Sequence, residues 1–117
     1  MTDIAETWDR IEHAELTVDG VTPGTGFGRS TGLRIHKKIY AIQNGDSLIL
    51  KLPRDRVEQL IESGTGEPWG PGTGRIMREW VEIPEAGWNK WAALTEEARA
   101  YVGLSQAGAA ERGSDSS

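Results

Sequence analysis

The stretch "GLRIHKKIYAIQNGDSLILKLP", Gly32–Pro53, constrains the fold more than any other part of the chain. Leu33 and Ile35 alternate with Arg34 and His36, which is the period of a strand with one buried face. A tight turn near His36–Lys37 precedes a second alternation, Ile39 and Ala41 against Tyr40 and Ile42. Asn44-Gly45 then supplies the two positive-φ residues of a type I′ hairpin turn. Leu48, Leu50 and Leu52 continue at period two while Lys51 points the other way. The segment therefore predicts a three-stranded antiparallel meander.

Helical patterns flank this meander. Ile4, Trp8 and Ile11 recur at i, i+4 and i+7 after a possible cap at Thr2 or Asp3, predicting an amphipathic helix over Asp3–Ala14. Leu16–Gly28 is broken by Gly20, Pro23, Gly24, Gly26 and Gly28 and reads as a loop or an irregular edge strand. After Pro53, the stripe Val57, Leu60 and Ile61 followed by Gly64 predicts a second helix with its C′ residue. "REWVEIP" alternates Trp80 with the Val81 and Ile83 set and predicts another strand, stopped by Pro84. Trp88, Trp91, Thr95, Ala98 and Val102 recur at helical spacing and predict a last helix. The expected class is α+β, an antiparallel meander sheet with flanking helices in the order α–β(3)–α–β(1–2)–α. One domain is expected over residues 1–104, with a disordered polar tail over 105–117, where "SQAGAAERGSDSS" offers nothing to bury.

Charge and composition narrow the function. The 117 residues carry a net charge of −5, which weighs against a chain built mainly to coat nucleic acid. With no cysteine, thiolate metal sites, disulfides and cysteine nucleophiles are excluded. No apolar run is long enough to span a bilayer, and the acidic, amphipathic start is unlike a signal peptide, so a cytoplasmic setting is expected. His13 and His36 fall on different elements, and no G-x-S-x-G nucleophile motif is present, so neither a metal site nor a catalytic triad is expected. No cofactor and no catalytic residue are assigned.

Pro-Gly-Thr-Gly occurs twice, at Pro23–Gly26 and Pro71–Gly74, and raises the question of phosphate binding. Neither copy leads into Lys-Ser/Thr, and each precedes a predicted strand rather than a helix N-terminus. Both copies read as turns before strands. The five tryptophans divide differently. Trp8, Trp88 and Trp91 lie on helical stripes and are expected to pack the core, whereas Trp69 stands in a loop between Pro68 and Gly70. Its expected role is to pin that loop to the domain, with a binding contact as the alternative.

Arg29, Arg34, His36, Lys37, Lys38 and Lys51 form a basic cluster on or beside the meander. Were Arg34, His36, Lys38 and Tyr40 to share a face, it would be cationic and could meet an anionic partner; the favoured expectation is a solvated face whose lysines also deter edge-to-edge aggregation. The candidate partner-binding residues are Trp69, Arg34, His36, Lys38, Arg75 and Arg78. A nucleic-acid reading would use Arg29, Arg34, Lys37, Lys38, Arg75 and Arg78.

The run from Gly32 to Val102 resembles the small bacterial domains grouped as TfoX N-terminal and MmcQ/YjbR-like proteins. The resemblance rests on "GLRIHKKIYAI", on "LILKLPRDRVEQLIESG" and on "GTGRIMREWVEIP" with the Trp, Leu and "EARAYV" positions after it. It implies an α–β(3)–α–β(2)–α arrangement of secretion-chaperone-like type, with a short extra strand bordering Trp69–Gly74. The Met-Phe-Gly element usual in TfoX-type domains is only partly matched at Thr25–Gly28, where Phe27-Gly28 is present without the Met. The resemblance implies a regulatory role. DNA binding has been suggested for YjbR-type proteins, and no catalytic residues are established for the group. The leading expectation is a non-catalytic domain that binds a protein partner or itself. A DNA-binding regulator is the alternative, and an enzyme or small-ligand binder at the glycine loops is least favoured.

Overall fold

The computed structural model describes residues 4–24, 31–70 and 78–115, with side chains described as far as Leu104. Among the described residues the chain is an α+β fold of three α-helices and one open six-stranded antiparallel sheet. The elements are α1 (Ile4–Glu15), β1 (Val21–Pro23), β2 (Thr31–Ile35), β3 (Lys38–Asn44), β4 (Ser47–Lys51), α2 (Arg54–Glu62), β5 (Glu67–Pro68), β6 (Trp80–Ile83), a 3-10 segment over Glu85–Lys90, and α3 (Trp91–Asp115). The strands lie in the order β1-β2-β3-β4-β6-β5.

Four strands precede α2, one more than the expected three. The additional one is β1, in the glycine-rich stretch, which pairs with β2 from Val21↔Ile35 to Pro23↔Leu33. Pro23 has no N–H to donate, and β1 accordingly sits at an edge of the sheet. Two strands follow α2. The short β5 is Glu67–Pro68, just before Trp69, and pairs with β6.

The two hairpin turns differ from their sequence signatures. Asn44 is the last residue of β3, pairing with Ser47, so the turn residues are Gly45 and Asp46. Of the Asn44-Gly45 pair only Gly45 has positive φ, at 61°. Glycine at the first central position suits a type II′ geometry, which needs positive φ at that one residue only. The pair with positive φ at both turn positions is instead His36 (50°) and Lys37 (72°), between β2 and β3. Two side-chain-bearing residues occupy the left-handed region there, a conformation that favours glycine or asparagine.

The meander also contains a bulge. Leu33 pairs with Ala41 but Arg34 pairs with Ile39, leaving Tyr40 as the extra residue. A bulge breaks strict alternation, and Tyr40, Ala41 and Ile42 are consecutively buried. Tyr40 thus faces the helices and does not share a face with Arg34, contrary to the arrangement that would have made one cationic face of Arg34, His36, Lys38 and Tyr40.

All three helices contribute to one core. Ile4, Trp8 and Ile11 of α1, Val57 and Leu60 of α2, and Trp91, Leu94, Ala98 and Val102 of α3 cluster with Leu33, Ile35, Leu48, Leu50, Leu52, Val81 and Ile83. The stripe of α1 continues one turn further than expected, to a buried Glu15. Gly64 follows α2 with φ of 81°, and its N–H bonds to the Ile61 carbonyl. This is the left-handed residue that its position after the stripe predicts.

Trp88 departs from the expected helical stripe. It lies in the 3-10 segment that follows Pro84 and is 42% exposed, whereas Trp91, which opens α3, is fully buried. Trp88 and Trp91 are i and i+3 and stay on one side of the chain, but the backbone departs from helical φ/ψ at Gly87, and Trp88 sits in the turn before α3, outside the buried stripe that begins at Trp91. The backbone of α3 is helical as far as Asp115, through the segment whose composition suggests a polar tail. Ala107, Ala109 and Ala110 favour helix, and no proline interrupts them. No helix among the described residues is long and apolar enough to cross a membrane.

Candidate functional site

Helices cover the face of the sheet that carries Leu33, Leu48, Leu50, Val81 and Ile83. Side chains of alternating parity project from the second face. Strand pairing orders them into rows. Thr22↔Arg34 and Arg34↔Ile39 are successive pairs across β1, β2 and β3, and Lys51↔Trp80 pair across β4 and β6 toward the same end of the sheet. Trp69, just beyond β5, adjoins Trp80: its ring centroid is 5.5 Å from that of Trp80, with the planes inclined at 52°. The Lys51 ammonium lies 5.9 Å from the Trp80 ring centroid, within reach of a cation–π attraction.

The adjacent row is different in character. Gly32↔Ile42, Ile42↔Ile49, Ile49↔Glu82 and Glu82↔Glu67 are successive pairs. Ile42 and Ile49 are buried at its centre, and two carboxylates stand directly opposite each other at the β5–β6 end. The second face is therefore basic and aromatic along one set of pairs and acidic at one corner of the next row.

The sequence-derived candidates distribute around this face as follows. Arg34 is half-buried on this face, with Nη2 3.5 Å from the Pro23 carbonyl and a buried Nε that has no hydrogen-bond partner among the described residues. Trp69 is half-buried against Trp80, so it anchors its loop while still presenting part of its ring to solvent. Lys38 is exposed at the start of β3, and Arg78 is exposed two residues before β6. Antiparallel pairing brings the beginnings of β3 and β6 to the same end of the sheet as the end of β4. Lys37, Lys38, Lys51 and Arg78 therefore gather at one end. Among the described residues none of these four forms an ion pair, whereas Arg10, Arg54, Arg56 and Arg99 each pair with a glutamate.

His36 is the exception within the group. Its side chain is exposed, but its ring lies over Gly20: a Cβ at that position would come within 2.8 Å of Cε1. Its N–H bonds to the Gly20 carbonyl at 3.1 Å. The histidine thus holds the chain before β1 against the β2–β3 turn. Arg75 and Arg29 lie outside the described residues, as do Pro71–Gly74 and the Thr25-Gly26 half of the first Pro-Gly-Thr-Gly copy. The described flanks of both copies are strands: β1 precedes and β2 follows the first, while β5 precedes and β6 follows the second.

At the same end of the sheet a cleft of about 510 Å³ opens between α3 and the strand ends. It is lined by Lys37, Lys38, Ile39, Lys51, Glu79, Trp80, Tyr101 and Val102. The Tyr101 hydroxyl donates to Glu79 Oε1 at 2.9 Å. Among the described residues no group of three or more His, Asp or Glu converges as metal ligands would.

Sequence reasoning missed Trp80 as the partner of Trp69. The signal was present, because Trp80 alternates with the buried Val81 and Ile83 and so must face away from the helices. The Tyr101–Glu79 pair had no such signal, since it joins α3 to the residue before a strand. Comparison with protein-family models, with curated proteins and with solved structures gives no match to this chain.

Proposed function

We propose that this protein is a non-catalytic binding domain that takes an acidic segment of a protein partner on the second face of its sheet. The observation that carries the reading is the set Arg34, Ile39, Lys51, Trp80 and Trp69 on one face, in which Lys51, with no ion pair among the described residues, lies over one ring of an aromatic pair. Half-buried tryptophans beside half-buried basic groups are the composition of a protein-interaction surface, where aromatic residues supply contact area and charges select the partner. In this reading the resemblance to TfoX N-terminal and YjbR-like domains is one of kinship, and the protein acts as a regulatory binding module in a bacterial cytoplasm.

DNA is the weaker reading. Lys37, Lys38, Lys51 and Arg78 do share one end of the sheet, but Glu67 and Glu82 stand beside the Trp69–Trp80 pair on the same face and would repel a phosphate backbone. The net charge of −5 acts in the same direction.

Affinity capture from native lysate tests the assignment. Immobilised wild-type protein is expected to retain a protein partner that elutes at raised salt, and both Lys51→Glu and Trp69→Ala should lose it. Arg54→Glu, on the exposed face of α2, should keep it. A retained set identical across all four proteins, or retention of nucleic acid alone, would overturn the reading.

A further inference from the structure

The cleft at the end of the sheet has properties that a protein-docking face does not require. Three lysines line it, Lys37, Lys38 and Lys51, against a single carboxylate, Glu79. That carboxylate is already engaged by the Tyr101 hydroxyl, and among the described residues it forms no ion pair with any of the three. Like charges gathered in excess of their counter-charge repel one another, and an anion entering the cleft relieves that repulsion. The walls are not polar throughout. Ile39 and Val102 are apolar, and the Trp80 ring, with Lys51 5.9 Å from its centroid, offers a flat aromatic surface. A volume of about 510 Å³ suits an organic molecule rather than a lone inorganic ion.

We infer that this cleft binds one small organic anion with a flat aromatic body, its charge held by Lys37 and Lys38 and its ring lying against Trp80. Lys51 reaches the same ring and neutralises the ligand's charge from the sheet side. Glu79, fixed by Tyr101, is the acceptor available to an N–H of the ligand, so an aromatic phosphate with an amino group fits better than a plain aryl carboxylate. Both share the recognised chemistry, a planar ring joined to an anionic group. The cations that line the cleft are all lysines, which meet a phosphate as point charges. The site shares Ile39, Lys51 and Trp80 with the proposed partner face, but it adds Lys37, Lys38, Glu79 and Tyr101 and uses neither Trp69 nor Arg34.

Isothermal titration of the full chain with three probes tests the inference: adenosine monophosphate, 1-naphthoate and inorganic phosphate. Saturable binding of one equivalent is expected for adenosine monophosphate, weaker binding for naphthoate, and weaker still for phosphate, with all three affinities falling as salt is raised. The Lys37→Asn/Lys38→Gln double variant changes one turn residue and the first residue of β3, both exposed, and should keep the far-ultraviolet circular dichroism of the wild type. It should lose about tenfold or more in affinity for adenosine monophosphate, as expected when charged hydrogen-bond donors are removed. Arg34→Gln, on the partner face but outside the cleft, should bind the nucleotide as the wild type does, so a failure of the partner reading leaves this result standing. Absence of saturable binding by both ring-bearing probes would overturn the inference. So would phosphate binding as tightly as either, or a double variant with unchanged affinity.

Discussion

The Tyr40 hydroxyl donates a 2.7 Å hydrogen bond to Oε1 of Glu15, and both residues are buried. Arg99 Nη1 donates to the other oxygen, Oε2, at 2.9 Å. One carboxylate therefore joins the last residue of α1, the bulge residue of β3 and the middle of α3. Burying a carboxylate is costly unless it is paired and hydrogen-bonded, and here both of its oxygens have a donor. The bulge makes the arrangement possible, because it turns the Tyr40 side chain toward the helices. This clamp also fixes β3 and α3 relative to each other, and those two elements supply Lys38, Ile39, Tyr101 and Val102 to the cleft.

Breaking the clamp should cost stability in proportion to what is left unpaired. Tyr40→Phe removes a hydrogen bond to a charged acceptor and should lower the unfolding free energy by about 1–3 kcal/mol. Glu15→Ala leaves the Tyr40 hydroxyl buried without its acceptor and Arg99 without its counter-charge. Because Arg99 retains partial access to water, at 23% side-chain exposure, we expect a loss of roughly 3 kcal/mol, at the lower end for a broken buried pair. Urea denaturation of the two variants checks the order; equal stability of Glu15→Ala and wild type would contradict it.

The same contact makes stability sensitive to alkali. Burial pushes the Tyr40 phenol above the ordinary tyrosine range; its hydrogen bond to Glu15 and that residue's negative charge push in the same direction, and Arg99 opposes them. The native state thus keeps the phenolic proton after an unfolded chain has released its own near pH ~10. Above that pH the unfolded state binds fewer protons, so unfolding becomes easier as pH rises. The contribution is fully present below pH ~10 and is lost progressively above it, with a limiting slope of about 1.4 kcal/mol per pH unit from this one group. Tyr40→Phe should flatten the alkaline limb of a stability–pH curve, and an unchanged limb would show that Tyr40 is not its source.

The β2–β3 turn is open to improvement. His36 and Lys37 sit at φ of 50° and 72°, where a non-glycine residue costs about 1–2 kcal/mol. Replacing Lys37 with Gly removes that strain but adds unfolded-state entropy worth about 0.5–1 kcal/mol. His36→Asn with Lys37→Gly installs the preferred type I′ pair. We expect a net gain of up to about 1 kcal/mol, less whatever is lost with the His36 ring over Gly20. Thermal melts of the double variant check the sign, and destabilisation by more than 1 kcal/mol would mean that the His36–Gly20 packing outweighs the backbone strain.

Much of the fold was legible because burial follows period. The stripes Ile4–Trp8–Ile11 and Val57–Leu60, and the alternation Leu48–Leu50–Leu52, fall into the core as their spacing requires. What was illegible depended on pairing between distant segments. The Asn44-Gly45 signature places a turn correctly but not its central residues, which the pairing of Asn44 with Ser47 decides. The bulge at Tyr40 has no local signature, and without it Ile39 and Tyr40, on the near side of Ala41, are assigned to the wrong faces. Trp88 was misplaced because a stripe drawn at helical spacing cannot see that its first turn is wound as a 3-10 segment. In the site, Trp69 stood out as a loop aromatic, but its contact with Trp80 and Lys51 depends on which strands are neighbours. Glu15 was the nearest to being found, since i+4 from Ile11 continues the buried stripe of α1.

The central claim, that the second face of the sheet takes an acidic protein segment, is tested most directly by mapping amide and indole chemical shifts of isotope-labelled protein titrated with a poly-glutamate peptide. The account predicts saturating shifts at Thr22, Arg34, Ile39, Lys51 and Trp80 and at the indole N–H signals of Trp69 and Trp80, with the exposed faces of α1 and α2 unmoved. Shifts confined to the helices, or none at these residues at low salt, would contradict it.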